Sequence, residues 1–367
     1  MNVILISFSF NNNSGGTERI CSHLISKFKN VKFYTISEKN SDFNYSNQHH
    51  TSLDLNNIMN FKKLMEIVDK YDINYIINIM SENLITNLIL SRIKYYRTIK
   101  IVQYLHVSPN YFFESIYDSK LIKKPFKYLI YFFGVDYFKF LISYNISHKF
   151  VVISEQNKLN LIKKLKLKKN NKVISIYNPL TYSDQISNED FKNKKHIVLA
   201  VSRIASPLKR SGLLIKIWND PRLINSNWEL HIVGDGPLLN DLKEQSIHMR
   251  NVYFHGKINP IELYKSSKIF ISTSKNEGFG LTLTEALQYN LIPIAFNSYE
   301  TINEILLNNQ NGFLIEENSI TDFTDKLVDV ITNYNDYYYL IPNQKPLLSK
   351  SDNSIYKEKF KKILSLK

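Results

Sequence analysis

Two series of short apolar, β-branched runs, each alternating with amphipathic stretches, constrain this chain more than any other feature. In the first half the runs fall at 3–8, 31–36, 75–80, 99–105, 149–153 and 173–176. Between the first two, residues 17–28 place Ile20, Leu24, Ile25 and Phe28 on one helical face. A polar stretch at 181–195 then reads as an interdomain connection. The series restarts with runs at 196–202, 229–233, 252–255, 269–273, 292–295 and 312–315, and helices are expected at 210–218, 238–247, 260–265, 281–289, 301–307 and 321–334. Strands alternating with helices indicate parallel sheets covered by helices. The expected class is therefore α/β, with two doubly wound parallel-sheet domains facing a cleft. Domains are expected at residues 1–178 and 179–345, with 346–367 supplying a helix that packs back on the first. Ligands of such folds bind at the carboxyl ends of the strands.

With 367 residues the chain is too long for one compact core and suits two Rossmann-like halves. Its apolar fraction of 44% argues against a largely disordered chain. The single cysteine, Cys21, allows no internal disulfide and no cysteine zinc cluster, which favours a reducing compartment. The opening MNVILISFSF lacks a basic leader and a small-residue cleavage site, so it is expected to be a first strand. In the most lipid-like stretch, 128–144, Asp136 and Lys139 interrupt the apolar run before it reaches the roughly 20 residues a membrane span needs. The net charge of +14 is concentrated around that stretch at Lys120, Lys123, Lys124, Lys127 and Lys139, and then at Lys158, Lys163, Lys164, Lys166, Lys168, Lys169 and Lys172. Interleaved aromatics point to an anionic membrane or a lipid-linked acceptor rather than to nucleic acid. A solvated lysine-rich surface is the alternative.

The densest constellation is KNEGFGLTLTEALQYNLIPIA at 275–295. The apolar run KIFISTS precedes it, so a strand is expected to feed a loop that opens a helix. Gly278 and Gly280 let the backbone approach a ligand, and the amides that open the helix point at any anion there. Glu277 in the loop and Glu285 inside the helix then serve as hydroxyl acceptors flanking a diphosphate. Arg203 and Lys209, in SRIASPLKR after a strand, either aim two cations and a helix start at one point, with Arg210 competing for the role of Lys209, or are a pair of exposed basic residues. Gly15 and Gly16 stand between the first strand and its helix, as an approach point for a phosphate or a hydroxyl or as an ordinary turn. Gly234-Asp235-Gly236-Pro237 is expected to be a structural turn. His106, in LHVSP after a strand, is either a structural hydrogen-bonder or a contact to a transferred group. No His, Cys, Asp or Glu grouping has metal-ligand spacing, and no metal or other cofactor is expected.

Together GGTE, LHVSP, SRIASPLKR, WELHIVGDGPLLNDL, VYFHGKI, EGFGLTLTEAL and NGFLI resemble, in that order, the retaining glycosyltransferases of family 4, which have the GT-B fold. Bacterial lipopolysaccharide, O-antigen and capsule hexosyltransferases are the most similar members, some sharing the YNP at 177–179. The resemblance implies that Glu277 contacts the donor hexose and Glu285 the ribose, and that Arg203 and Lys209 clamp the diphosphate. It further implies a cradle of amides from Gly278, Phe279, Gly280, Leu281 and Thr282, base contacts at Lys257 and Ile258, approach by Gly16, and His106 over the sugar. Ser202 departs from the glycine that many relatives have before the arginine, which bears on local backbone geometry. The implied reaction moves a hexose from a nucleotide sugar, a UDP-hexose or alternatively GDP-mannose, to a surface glycan or lipid-linked acceptor. The implied setting is the cytoplasm, at the inner face of the cytoplasmic membrane. Two competing classes predict other features: a nucleotide-dependent oxidoreductase would show GxGxxG, and a non-catalytic membrane- or nucleic-acid-binding protein would give no reason for these residues to converge.

Overall fold

The structure, a computed structural model, describes residues 1–10, 15–38, 40–110, 135–168, 171–182, 194–205 and 208–366. The chain divides into two compact units, Met1–Pro179 with Asn353–Lys367, and Leu180–Asp352.

The first unit is built on seven parallel strands: β1 (Asn2–Ile6), β2 (Lys32–Ser37), β3 (Gln48–Ser52), β4 (Tyr75–Asn78), β5 (Lys100–Leu105), β6 (Lys149–Val152) and β7 (Val173–Ser175), in the order β3-β2-β1-β4-β5-β6-β7. Strands covered on both faces need continuous apolar runs. Val3, Ile4, Leu5 and Ile6 of β1 accordingly have no solvent exposure. Asn78 at the end of β4, Gln103 within β5 and Asn87 of the Leu84–Tyr96 helix, all buried, satisfy one another. Asn78 Nδ2 donates to Gln103 Oε1 at 2.9 Å, and Gln103 Nε2 donates to Asn87 Oδ1 at 2.9 Å. These bonds fix the Leu84–Tyr96 helix on the sheet.

The sequence reading has no counterpart to β3. Its residues, QHHTS, are polar and mostly exposed because the strand lies at the sheet edge and is held by backbone pairing with β2. Side chains add to this, with Gln48 Nε2 donating to Thr35 Oγ1 at 2.9 Å. Hydrophobic periodicity carries no signal for such a strand.

The last helix, Asn353–Ile363, belongs to the first unit and buries Tyr356, Phe360 and Ile363. Phe360 meets Tyr104 of β5 at 5.4 Å between ring centroids, Tyr356 meets His23 at 5.4 Å, and Lys359 donates to the Ser175 carbonyl at 3.0 Å.

The second unit carries six parallel strands: β8 (Lys195–Val201), β9 (Glu229–Val233), β10 (Val252–Phe254), β11 (Ser267–Ser272), β12 (Ile292–Asn297) and β13 (Phe313–Glu316), in the order β10-β9-β8-β11-β12-β13. Its core includes Trp218, Trp228, Phe296, Phe313 and Phe323. Trp218 Nε1 donates to Asn251 Oδ1 at 3.1 Å, so a wholly buried indole is satisfied. The Gly234–Gly236 turn wraps closely on the segment after β8. Both glycines have positive φ, +147° and +153°, and a Cβ on either would lie 1.8 Å from the Ser202 carbonyl oxygen or 2.4 Å from that of Ile204.

Most of the expected linker at 181–195 lies outside the described residues. Lys194 within it is not a solvated linker residue. It is 5% exposed and donates to the carbonyls of Tyr264 at 3.0 Å and Ser267 at 2.6 Å. Lys120, Lys123, Lys124, Lys127, Lys169 and residues 128–134 of the lipid-like stretch also lie outside the described residues. Among the described residues no helix is long and apolar enough to cross a membrane.

Two substitutions test this packing. Phe360→Ala removes a fully buried ring that anchors the last helix and is expected to cost about 3–5 kcal/mol of the first unit's stability, read as a lowered urea midpoint. Gly236→Ala combines positive φ with a backbone clash and is expected to cost about 2 kcal/mol or more in the second unit. An unchanged midpoint would contradict the close approach.

Candidate functional site

β11 ends in Ser272, and the chain passes through Thr273 and Ser274 into the loop at 275–280 before the helix Leu281–Gln288. Gly280 caps that helix in the left-handed conformation, φ 88° and ψ 50°. A Cβ there would stand 2.8 Å from the Tyr299 hydroxyl, so both backbone and space call for glycine. Phe279 is buried, and Thr301 Oγ1 lies 3.2 Å from the Gly278 carbonyl and 3.3 Å from that of Phe279. Leu281 and Thr282 form the first helical turn, where no side chain caps the amides.

A second loop is sewn to the same strand end. Lys275 N donates to the Leu208 carbonyl at 2.7 Å, and Thr273 Oγ1 lies 3.2 and 3.1 Å from the carbonyls of Lys209 and Arg210. Arg210 Nε returns to the Thr273 carbonyl at 2.9 Å, and its Nη1 reaches Glu317 at 3.2 Å and Asn318 at 2.8 Å. Its guanidinium also lies 5.2 Å from the Phe296 ring centroid. Arg210 therefore ties the loop down, and the competition between it and Lys209 resolves by geometry. Lys209, its neighbour, points to Glu277: Nζ and Oε1 are 2.5 Å apart, with both side chains under a fifth exposed. Ser274 Oγ donates to the same Oε1 at 2.8 Å. Both contacts fall on Oε1 of Glu277, and no hydrogen bond to Oε2 is formed among the described residues.

Glu285, the fifth residue of its helix, is 1% exposed, and Oε2 accepts from the Tyr264 hydroxyl at 3.0 Å. The Tyr264 hydroxyl also lies 3.2 Å from the Thr282 carbonyl. Lys194 caps the end of the Ile261–Ser266 helix that carries Tyr264, and burial pushes its ammonium down to about 7. Burial, reinforced by the Glu277 charge, raises the Tyr299 phenol well above its ordinary value, so it remains neutral beside the loop.

The structure thus brings together Glu277, Lys209 and the glycine loop, and seats Glu285 in the helix that follows. Arg203, after β8, is exposed and forms no ion pair among the described residues. Lys257 and Ile258, also exposed, follow Gly256, whose carbonyl accepts from Gly234 N at 2.9 Å and so joins two loops beyond the carboxyl ends of β9 and β10. Beside them His255 Nε2 and His231 Nδ1 are 3.1 Å apart, and His231 Nε2 is 3.1 Å from Glu229 Oε2. Gly16 and His106 belong to the first unit. Gly16 opens the Gly16–Lys27 helix after β1. His106 follows β5 with its ring 3.9 Å from that of Tyr104, and its buried Nε2 has no hydrogen-bond partner among the described residues. Burial pushes its imidazole down to about 3, so it is neutral at ordinary pH.

Ser274, Tyr264, Tyr299 and Lys194 escaped the sequence reading. Only Ser274 left a usable trace, a serine three residues before Glu277. The others arrive through contacts distant in sequence.

Residues 182–346 match the family model described as glycosyl transferases group 1. An uncharacterized glycosyltransferase of Haemophilus influenzae is 31% identical over 222 residues, covering 59% of this chain and 61% of that protein. The amylovoran biosynthesis glycosyltransferase AmsD of Erwinia amylovora is 30% identical over 196 residues, covering 52% of this chain and 54% of that protein. The matches thus span little more than half of each curated relative. In fold, the chain is similar over its whole length to the Anabaena protein HepE in complex with UDP and glucose, with TM-score 0.75 and 15% identity. Two parallel-sheet units of this kind are the GT-B architecture. The chain has the GT-B fold, and within it residues 182–346 are a glycosyl transferases group 1 domain.

Proposed function

We propose that this protein is a retaining glycosyltransferase that moves a hexose from a nucleotide sugar, a UDP-hexose, to a bacterial surface glycan or its lipid-linked precursor. The observation that carries the reading is the Lys209–Glu277 pair, held with Ser274 over a glycine loop that opens a helix. A nucleotide sugar offers neutral hydroxyls at each end of a diphosphate. The loop offers carboxylates for the hydroxyls, and amides and cations for the phosphates. The relative named for amylovoran biosynthesis supports a surface glycan as product, and the similarity to a protein that binds UDP and glucose supports the donor class.

In this reading Glu277 accepts from the hexose through Oε2, its other oxygen being engaged by Lys209 and Ser274. Glu285 receives the ribose, the amides of Gly278, Phe279, Gly280, Leu281 and Thr282 face the diphosphate, and Lys257 and Ile258 border the base. Arg203 and Lys209 neutralise the leaving diphosphate without a metal, since an ammonium paired with one carboxylate oxygen keeps protons for a phosphate. Within the first unit, Gly16 and the neutral His106 are the candidate ligand contacts, His106 as a hydrogen-bonding group. The acceptor oxygen bonds to the anomeric carbon on the face the diphosphate leaves, and the departing phosphate oxygen takes the acceptor's proton. The enzyme works in the cytoplasm at the inner face of the membrane, where lipid-linked acceptors are presented.

Lys209→Ala is expected to lower turnover about a hundredfold or more, on the scale of losing one preorganised charge-stabilising donor. Near-normal turnover by the folded variant would contradict the assignment. For the donor, UDP is expected to raise the melting temperature while NAD and duplex DNA do not. A shift with GDP instead of UDP would reassign the donor to GDP-mannose, and a shift with DNA alone would overturn the enzymatic reading.

A further inference from the structure

The helix Leu84–Tyr96 buries one face and leaves a second apolar face uncovered. Thr86, Asn87, Ile89, Leu90 and Ile93 pack inward. Ile85, Leu88, Arg92, Tyr95 and Tyr96 follow helical spacing along the opposite side, and all five are exposed, Tyr95 to 83%. The stripe continues onto a neighbouring turn. The Arg92 guanidinium lies 4.5 Å from the ring centroid of Phe61, whose ring is 6.2 Å from that of Tyr96. Ile58 and Met59 stand three and two residues before Phe61, Met59 being 77% exposed. A contiguous run of this kind is unusual on a free surface.

Charge identifies what covers it. Lys62 and Lys63, exposed beside Phe61, add to Arg92. Of the acids on the Phe61–Lys70 helix, Asp69 is occupied by two hydrogen bonds from Arg97 at 2.7 and 2.8 Å, which leaves Glu66 against these three cations. Exposed aliphatic side chains, paired tyrosines with polar tips and flanking lysines are the chemistry that suits the acyl boundary, headgroups and phosphates of an anionic bilayer. We propose that this stripe docks the protein on an anionic lipid surface. The inference rests on, and locates, the membrane-side working place of the preceding reading.

Flotation of the full chain with phosphatidylcholine vesicles, with and without phosphatidylglycerol, tests it. Wild type is expected to bind the anionic vesicles about tenfold or more tightly than the neutral ones. The variant Leu88→Ser/Tyr95→Ser/Tyr96→Ser is expected to lose that binding about tenfold while keeping its UDP-induced thermal shift, which certifies its fold. Lys62→Gln/Lys63→Gln is expected to weaken binding to anionic vesicles only. Equal vesicle binding by wild type and the stripe variant would overturn the proposal in favour of another basic surface. Absence of vesicle binding by wild type would also overturn it, including the case where light scattering shows self-association that the stripe variant abolishes. Stripe-dependent vesicle binding without any nucleotide shift would support the surface while counting against the proposed donor, so the two failures are distinguishable; in that case an unchanged urea midpoint certifies the variant's fold.

Discussion

The stitching of the 208–210 loop to the end of β11 is the constraint on which the site depends. Backbone bonds from Lys275 to Leu208, the hydroxyl of Thr273 and the return bond from Arg210 fix the loop from both directions. A lysine on a free loop loses side-chain entropy on pairing and gains little in water. Here the backbone is already ordered, the pair is largely withdrawn from solvent, and Ser274 satisfies the same oxygen. Only the remaining rotamers must be fixed, which makes the Lys209–Glu277 contact a preorganised feature of the unit.

That arrangement divides labour among residues of similar chemistry. Arg210, adjacent to Lys209, serves the fold through Thr273, Glu317, Asn318 and Phe296. Glu277 is engaged at one oxygen by Lys209 and Ser274, whereas Glu285 sits deeper and is oriented by Tyr264. The two glutamates are thus held by different means: the first by a cation from a distant loop, the second by burial and a phenol. Gly280 serves both, since its left-handed conformation and the nearby Tyr299 hydroxyl set where the loop becomes helix.

Much of this was legible in the sequence because it rests on local periodicity. Apolar runs marked twelve of the thirteen strands among the described residues, and the glycines around Phe279 announced a loop entering a helix. β3 was illegible because an exposed edge strand needs no apolar face. Lys194 looked like linker because composition cannot reveal that a lysine will cap a helix end through two buried carbonyls. The Tyr264–Glu285 and Lys209–Glu277 contacts join residues 21 and 68 positions apart, and no local pattern encodes them.

A double-mutant cycle on Lys209 and Glu277 tests most directly whether the pair acts as one device. If it does, kcat/KM of Lys209→Ala/Glu277→Gln falls little further than that of the worse single variant, because either change already dismantles the unit. Losses that multiply in the double variant would mean that the two side chains act independently and would contradict the account.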